Sequence, residues 1–224
     1  MNQDYKVVGR EIKRIIADDI VTGKAVFTDD LRVTGMVYGK VLRSPYPHAR
    51  ITRIDVDRAK ACDGVHAVVT YKEIPDNIYI TNQMTPAPHY RPLNETVRFV
   101  GDPVALVVAE TEDIALEAMK LIEVKYEELP PVFTIDEALA PDAPQLYDVF
   151  PGNIAPPIFP GLDDLDFKVG DPEAGFARAD IIVKMDGEIK SGQNAMPAEA
   201  PVCIAQWNDD MLTIYGSIAA PSNC

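Results

Sequence analysis

The chain has 224 residues, of which 47% are hydrophobic and 25% charged, enough for one large or two small apolar cores. Its net charge is −14, from 35 acidic and 21 basic residues, so nucleic acid is not an expected partner. No run of about 18 consecutive apolar residues is present, so no membrane span is expected.

The start, Met1-Asn2-Gln3-Asp4-Tyr5-Lys6, has no basic stretch followed by an apolar one. A secretory signal is therefore not expected, and a cytoplasmic location is. Residues 1–30 are polar with short apolar runs and a turn at Thr22-Gly23. Gly35 to Arg43 predicts a strand, because Met36, Val37, Tyr38, Val41 and Leu42 are good strand formers. Ser44-Pro45-Tyr46-Pro47 must turn, since each proline fixes its own φ and holds the preceding residue extended. Ile51, Ile54 and Val56 open a second strand, Asp57 to Cys62 a short helix ended by Asp63-Gly64, and Val65 to Thr70 a third strand.

Four prolines between residues 75 and 95 predict a long loop of the kind that serves function or a partner. Val97 to Val100 and Val104 to Ala109 predict a buried hairpin around Gly101-Asp102-Pro103. Thr111 suits an N-cap, with Glu112 and Asp113 in the first turn and Ile114, Ala115, Ala118, Leu121 and Ile122 as one apolar stripe. A strand through Val124, Tyr126 and Glu127 and a short helix near Thr134 to Leu139 follow. Prolines punctuate residues 141–161, which predict a linker. Asp171 to Ala179 predicts a helix, and Ile181 to Lys190, Pro201 to Trp207 and Met211 to Ser217 three strands, the last two joined at Asn208-Asp209-Asp210. The fold class is α+β: one domain over 1–140, a proline-rich linker over 141–165, and the opening of a second domain over 166–224.

The chemistry-bearing residues are sparse. Cys62, Cys203 and Cys224 are far apart, without a Cys-x-x-Cys pair or an adjacent His, so no disulfide framework, zinc site or iron–sulfur site is expected. His48 lies in a proline turn, where an acid–base role is conceivable. No Ser, Cys or carboxylate stands at a spacing that would make a catalytic pair with it, so a structural His bonded to backbone is the favoured reading. His66 falls in a strand and suits a core or edge position; His89 falls in the proline-rich loop, where solvation is the commoner outcome. Gly101-Asp102-Pro103 lacks the glycines of a phosphate cradle. Asp163-Asp164-Leu165-Asp166 reads as solvated linker before it reads as a cation site. Gln193 and Glu199, in the stretch Ser191 to Pro201, are the candidate cofactor contacts, since a glutamine amide both donates and accepts and so suits an oxo-metal group; taken alone, the stretch reads only as a polar loop between two strands. No residue is assigned as catalytic, and none as a metal ligand.

Several of these stretches, in order and spacing, resemble the molybdopterin-binding large subunit of the xanthine dehydrogenase/aldehyde oxidase family. Val21-Thr22-Gly23-Lys24-Ala25-Val26-Phe27-Thr28-Asp29-Asp30 matches its opening V-T-G-x-A-x-[YF]-x-x-D; Leu42 to Arg50 matches L-R-S-P-x-P-H-A-R; Asp63 to Thr70 matches a D/P-G-V-x-A-V-x-T segment; and Val100 to Glu110 matches G-x-P-V-A-x-V-V-A. The resemblance implies an α/β hammerhead domain over the first 135 or so residues. Gly170 to Asp180 is similar to the segment where the family's molybdopterin-binding domain begins. Gln193-Asn194-Ala195-Met196-Pro197-Ala198-Glu199 stands where the family has Q-E-H-x-x-x-E, keeping the Gln and the last Glu but not the Glu-His; Ser217-Ile218-Ala219-Ala220-Pro221 stands for S-T-Q-x-P without the Thr and Gln. The family's Gln hydrogen-bonds a ligand of the metal, a role implied here for Gln193.

The family's glycine-rich G-G-G-F-G loop and its catalytic Glu have no counterpart in these residues. The resemblance therefore implies a truncated or split large subunit of a molybdenum hydroxylase, inactive alone. The complete enzyme would oxidise an N-heterocycle or an aldehyde with water as oxygen source, by metal-assisted chemistry on molybdopterin. No cofactor is expected on this chain alone. The implied partners are the remainder of the molybdenum-binding subunit, an iron–sulfur subunit and an FAD subunit. A non-catalytic scaffold subunit or an inactive fragment of that family is the alternative.

Overall fold

The computed structural model describes residues 7–75, 91–155, 169–185, 187, 199 and 201–217. They form an α+β arrangement that divides into two compact units, one built from residues 35–183 and one from residues 1–34 together with 184–224. His89 and Gln193, and the acidic run 163–166, lie outside the described residues.

The larger unit holds two three-stranded antiparallel sheets. In the first, β5 (Pro103–Ala109) runs between β1 (Tyr38–Arg43) and β3 (Val65–Thr70). In the second, β2 (Ala49–Asp55) runs between β4 (Thr96–Val97) and β6 (Glu123–Glu128). The near-continuous apolar run of β5 suits a central strand: Val104, Ala105, Val107 and Ala109 are all fully buried. Helix α3 (Glu112–Met119) packs on β1 and β5, burying Ala115 and Ala118, and α2 (Asp57–Lys60) packs on β3 through Ala59. These residues, with Ala49, Ile51 and Ile54 of β2, Val68 of β3 and Val97 of β4, make one core.

Two bulges explain patterns that strict alternation does not. Ile51 and Ile54 are both buried although an odd spacing sends two residues of a regular strand to opposite faces. Opposite them, Ile51 pairs with Tyr126 and Arg53 with Lys125, so Thr52 is the extra residue that returns Ile54 to the core. In β3, Val65 pairs with Ala109 and Ala67 with Val108, so His66 is the extra residue, exposed on an edge strand. The expected edge histidine is thus found.

The termini of α3 follow the sequence. Thr111 caps it, its Oγ1 accepting from the Ile114 amide at 3.2 Å. Gly64 (φ +80°) ends the stretch after α2, and its left-handed conformation favours glycine; a Cβ there would stand 2.9 Å from Ile114 Cδ1, the mobile tip of a side chain that can shift. Thr134 caps α4 (Ile135–Leu139) in a reciprocal box with Glu137. Asp171 caps α5 (Pro172–Arg178), accepting from the Ala174 amide at 2.9 Å.

Two expectations are corrected. Val97 and Val104 do not belong to one hairpin: β4 pairs with β2, Ala49 opposite Val97, whereas β5 pairs with β1 and β3. The turn between them passes the chain from one sheet to the other. Residues Ile181–Met185 form no strand; Ile181, Val183 and Met185 are largely exposed, and strand-forming side chains without a partner strand to pack against do not hold an extended ladder. In the smaller unit, the polar opening contains a helix, α1 (Ala17–Thr22), whose left-handed C-cap Gly23 (φ 70°) is the expected Thr22-Gly23 turn. That unit also holds the hairpin β7 (Cys203–Asn208) and β8 (Met211–Gly216), joined by Asp209-Asp210 as the sequence predicts.

Candidate functional site

The two most distinctive stretches of the sequence, Leu42 to Arg50 and Val97 to Pro103, meet at one end of the first sheet. The Ser44 amide donates to the Asp102 carbonyl at 2.9 Å, and the Gly101 amide donates to the Ser44 carbonyl at 2.8 Å. Arg43 Nη1 donates to the Gly101 carbonyl at 2.9 Å. Gly101 reaches this position with φ +96°, a conformation its lack of Cβ permits. Buried Ser44 closes its own turn: its Oγ accepts from the Tyr46 amide at 3.0 Å, while the prolines on either side of Tyr46 keep the backbone out of a helix.

His48 sits at the end of this turn, buried, with Nδ1 2.7 Å from the Pro130 carbonyl oxygen. A carbonyl only accepts, so Nδ1 carries the proton and donates. The His48 carbonyl in turn accepts from the Leu129 amide at 3.0 Å. The structural role favoured from sequence is the one found, and it ties the turn to the exit of β6. Replacing His48 by Leu removes the donor and leaves the Pro130 carbonyl unpaired. A loss of about 1–3 kcal/mol is expected in urea unfolding. His48→Asn, which can still donate, is expected to lose less; equal losses would place the cost in packing alone.

Asp102 is fully buried in the tight turn, and its Oδ2 accepts from the Arg98 amide at 2.9 Å. The Arg98 side chain, half-buried, is held by its own contacts. Its Nη1 donates to the Thr96 carbonyl at 2.9 Å, its Nε to the Leu146 carbonyl, and its guanidinium lies 4.4 Å from the centre of the Tyr147 ring. Tyr147 packs edge-on against Phe150, and Asn153 ties the same segment together, accepting from the Leu146 amide at 2.9 Å and donating to the Ala138 and Pro144 carbonyls. Burial raises the Tyr147 hydroxyl above its ordinary pKa; the Arg98 charge opposes that and Asp102 adds to it. Sequence reasoning missed this anchorage of residues 144–153. A contact spanning 48 residues leaves no local periodicity, and the proline content pointed only to a linker.

The candidate cofactor residues fall elsewhere. Glu199 lies in the smaller unit, half-buried, with Oε1 accepting from the Thr28 amide at 3.2 Å. Gln193 is outside the described residues. Cys62 lines a groove of about 570 Å³ with Ile114, Ala118 and Leu121, and its thiol donates to the Arg58 carbonyl at 3.4 Å. Among the described residues, no three His, Cys, Asp or Glu side chains are grouped as a metal site requires, and no helix is long and apolar enough to cross a membrane. The described arrangement is a rigid hydrogen-bonded platform, not a nucleophile–base pair.

Comparison with known proteins gives this platform a family. Residues 22–130 match the model of the "aldehyde oxidase and xanthine dehydrogenase, a/b hammerhead domain". The chain is 36% identical to a probable hypoxanthine oxidase of Escherichia coli O157:H7 over 97% of its own length and 26% of the relative's. It is 35% identical to the nicotinate dehydrogenase large molybdopterin subunit of Eubacterium barkeri over 99% of its own length and 49% of the relative's. Among solved structures, quinoline 2-oxidoreductase from Pseudomonas putida 86 matches with a TM-score of 0.55 and 38% identity, over 60% of this chain and 18% of that one. The chain thus spans about a quarter to a half of these curated relatives. It belongs to the xanthine dehydrogenase/aldehyde oxidase family, with residues 22–130 as its a/b hammerhead domain.

Proposed function

We propose that this chain supplies the hammerhead domain, over 1–140, and the opening of the molybdopterin-binding domain, over 166–224, of a molybdenum hydroxylase large subunit, with 141–165 between them. The observation that carries the reading is similarity over 97–99% of the chain to subunits named for oxidation of hypoxanthine and nicotinate. Both names, and that of the quinoline enzyme, denote N-heterocycles, which makes an N-heterocycle the favoured substrate class and an aldehyde the second. Water is the oxygen source in this reading, and the place of action is the cytoplasm.

The molybdopterin cofactor supplies the redox centre when bound. No catalytic step is assigned to this chain. Gln193 is the residue proposed to approach the cofactor, through an amide able to donate to a ligand of the metal. The remaining molybdopterin-binding segments, an iron–sulfur subunit and an FAD subunit are the proposed partners. The exposed apolar residues of the β7–β8 hairpin, Trp207, Met211 and Ile214, suit burial against the first of these.

Production of this chain together with the remaining segments, in one polypeptide or in two, tests the proposal. A complex holding stoichiometric molybdenum and turning over at least one member of a panel of purines, pyridines and quinolines is expected; a metal-free complex, or none, overturns it. The loss of Glu-His after Gln193 and of Gln at Ala219 favours one other reading, a scaffold subunit of the same descent. That reading predicts a complex without metal.

A further inference from the structure

The smaller unit is assembled from both ends of the chain, residues 1–34 and 184–224. A hydrogen bond between positions 171 residues apart joins them: the Thr28 amide donates to Glu199 Oε1 at 3.2 Å. Thr28 is the first residue of a single 3₁₀ turn, Thr28–Asp30. The first amides of such a turn have no acceptor within it and need one from outside. Two carboxylates meet that need. Asp30 takes the Phe27 amide at 2.9 Å from within the turn, and Glu199 takes the next amide from across the unit. Both Thr28 and Glu199 are half-buried, where water competes less for the donor than at an open surface.

We propose that Glu199 is a positioning residue: its carboxylate clasps the Thr28 amide and so fixes the opening Val21–Leu31 segment to the segment that leads into β7. The inference extends the proposed function, because it gives the last residue of the Gln193–Glu199 stretch a mechanical task within the molybdopterin-binding portion. It makes the glutamate a fastener of that stretch and not a ligand of the cofactor. Sequence placed both partners within recognised stretches but could not join them, since the donor is a backbone group that any residue but proline supplies.

The full 224-residue chain, without cofactor, provides the test by amide hydrogen exchange and thermal unfolding. Glu199→Ala is expected to speed exchange at Thr28 by about tenfold, the effect of losing one charge-assisted bond. Glu199→Gln keeps an acceptor oxygen and is expected to restore most of the protection. Thr28→Pro removes the donor at a position where proline is tolerated: it is the first residue of the turn, and Phe27 before it is already extended (φ −103°, ψ 169°). Glu199→Ala and Thr28→Pro together should cost no more stability than the larger single change, because both delete the same bond. Unchanged Thr28 exchange in Glu199→Ala, or additive losses in the double variant, overturns the clasp. Should Glu199→Ala not fold, Glu199→Ser, whose side chain is too short to reach the Thr28 amide, and the Thr28→Pro, Glu199→Ser pair decide it by the same criteria. Molybdenum content of the complex with the remaining segments is read separately, so failure of the functional proposal leaves this result standing or falling by itself.

Discussion

Val107→Asp is expected to abolish the folded state of the hammerhead domain. Val107 lies at the middle of the central strand β5, opposite Lys40 of β1 and Val68 of β3, and is fully buried. Deleting its apolar side chain forfeits about 1.5–3 kcal/mol of burial. Placing a carboxyl group there adds a desolvation cost of several kcal/mol: the core residues Ile51, Val68, Val97, Val104 and Ala115 offer it no polar partner, and Lys40 opposite it is already engaged with Glu112. A domain of this size has about 5–15 kcal/mol in total, so the sum removes most or all of it. Circular dichroism and amide dispersion should show loss of the cooperative transition. Val100→Asp provides the control, since Val100 is 65% exposed in the neighbouring turn and the same chemistry there is expected to change stability by no more than about 0.5 kcal/mol. A folded Val107→Asp protein with a normal transition would mean that β5 is not the centre of the core.

The contrast between those two valines shows how far the sequence could be read. The run Val104 to Ala109 announces a buried strand by composition, Thr111 announces a helix start by cap chemistry, and helices are expected near Thr134 and Asp171; each of these signals is local, and each element is present. Pairing is not local. Nothing in Val97 states that its partner is Ala49 and not a residue of the strand that follows, because both hairpin and sheet-to-sheet crossing need the same tight turn. The bulges at Thr52 and His66 were hidden for a related reason: an extra residue looks like a broken alternation until the opposite strand is known. Ile181 to Met185 failed in the reverse direction, since strand propensity describes fitness for a sheet and does not supply the neighbouring strand. The prolines located the turn at Ser44 to Pro47, but its hydrogen bonds to Gly101 and Asp102 came only from the fold. The same holds for the candidate site: Glu199 was singled out for its chemistry toward a cofactor, and the backbone donor that engages it lies 171 residues away.

Asp102→Ala is expected to loosen two turns and the 144–153 segment together. The Asp102 side chain sits in the turn that carries the chain from β4 to β5, fully buried, and accepts from the Arg98 amide. Alanine leaves that buried donor without its acceptor, a cost of about 1–3 kcal/mol, while the backbone bond from Ser44 to the residue 102 carbonyl remains available. The consequence should travel through Arg98, whose guanidinium reaches the Leu146 carbonyl and the Tyr147 ring: once the Arg98 backbone is no longer held, both contacts weaken. Amide exchange at Leu146, now protected by Asn153, should therefore rise. Tyr147 gives an independent readout. Asp102 contributes to raising its pKa, so removal of that carboxyl group lowers it, and opening of the segment to water acts in the same direction by relieving burial, the largest cause of the shift, whereas a weakened Arg98 contact acts against both; the downward shift is therefore read in Asp102→Asn, where Arg98 stays held. Asp102→Asn keeps an oxygen acceptor and separates the effects: the turn and Leu146 should stay protected, while the Tyr147 titration still moves down. If Asp102→Ala destabilises the protein without changing Leu146 exchange or the Tyr147 titration, the turn and the 144–153 segment are energetically independent despite the arginine between them.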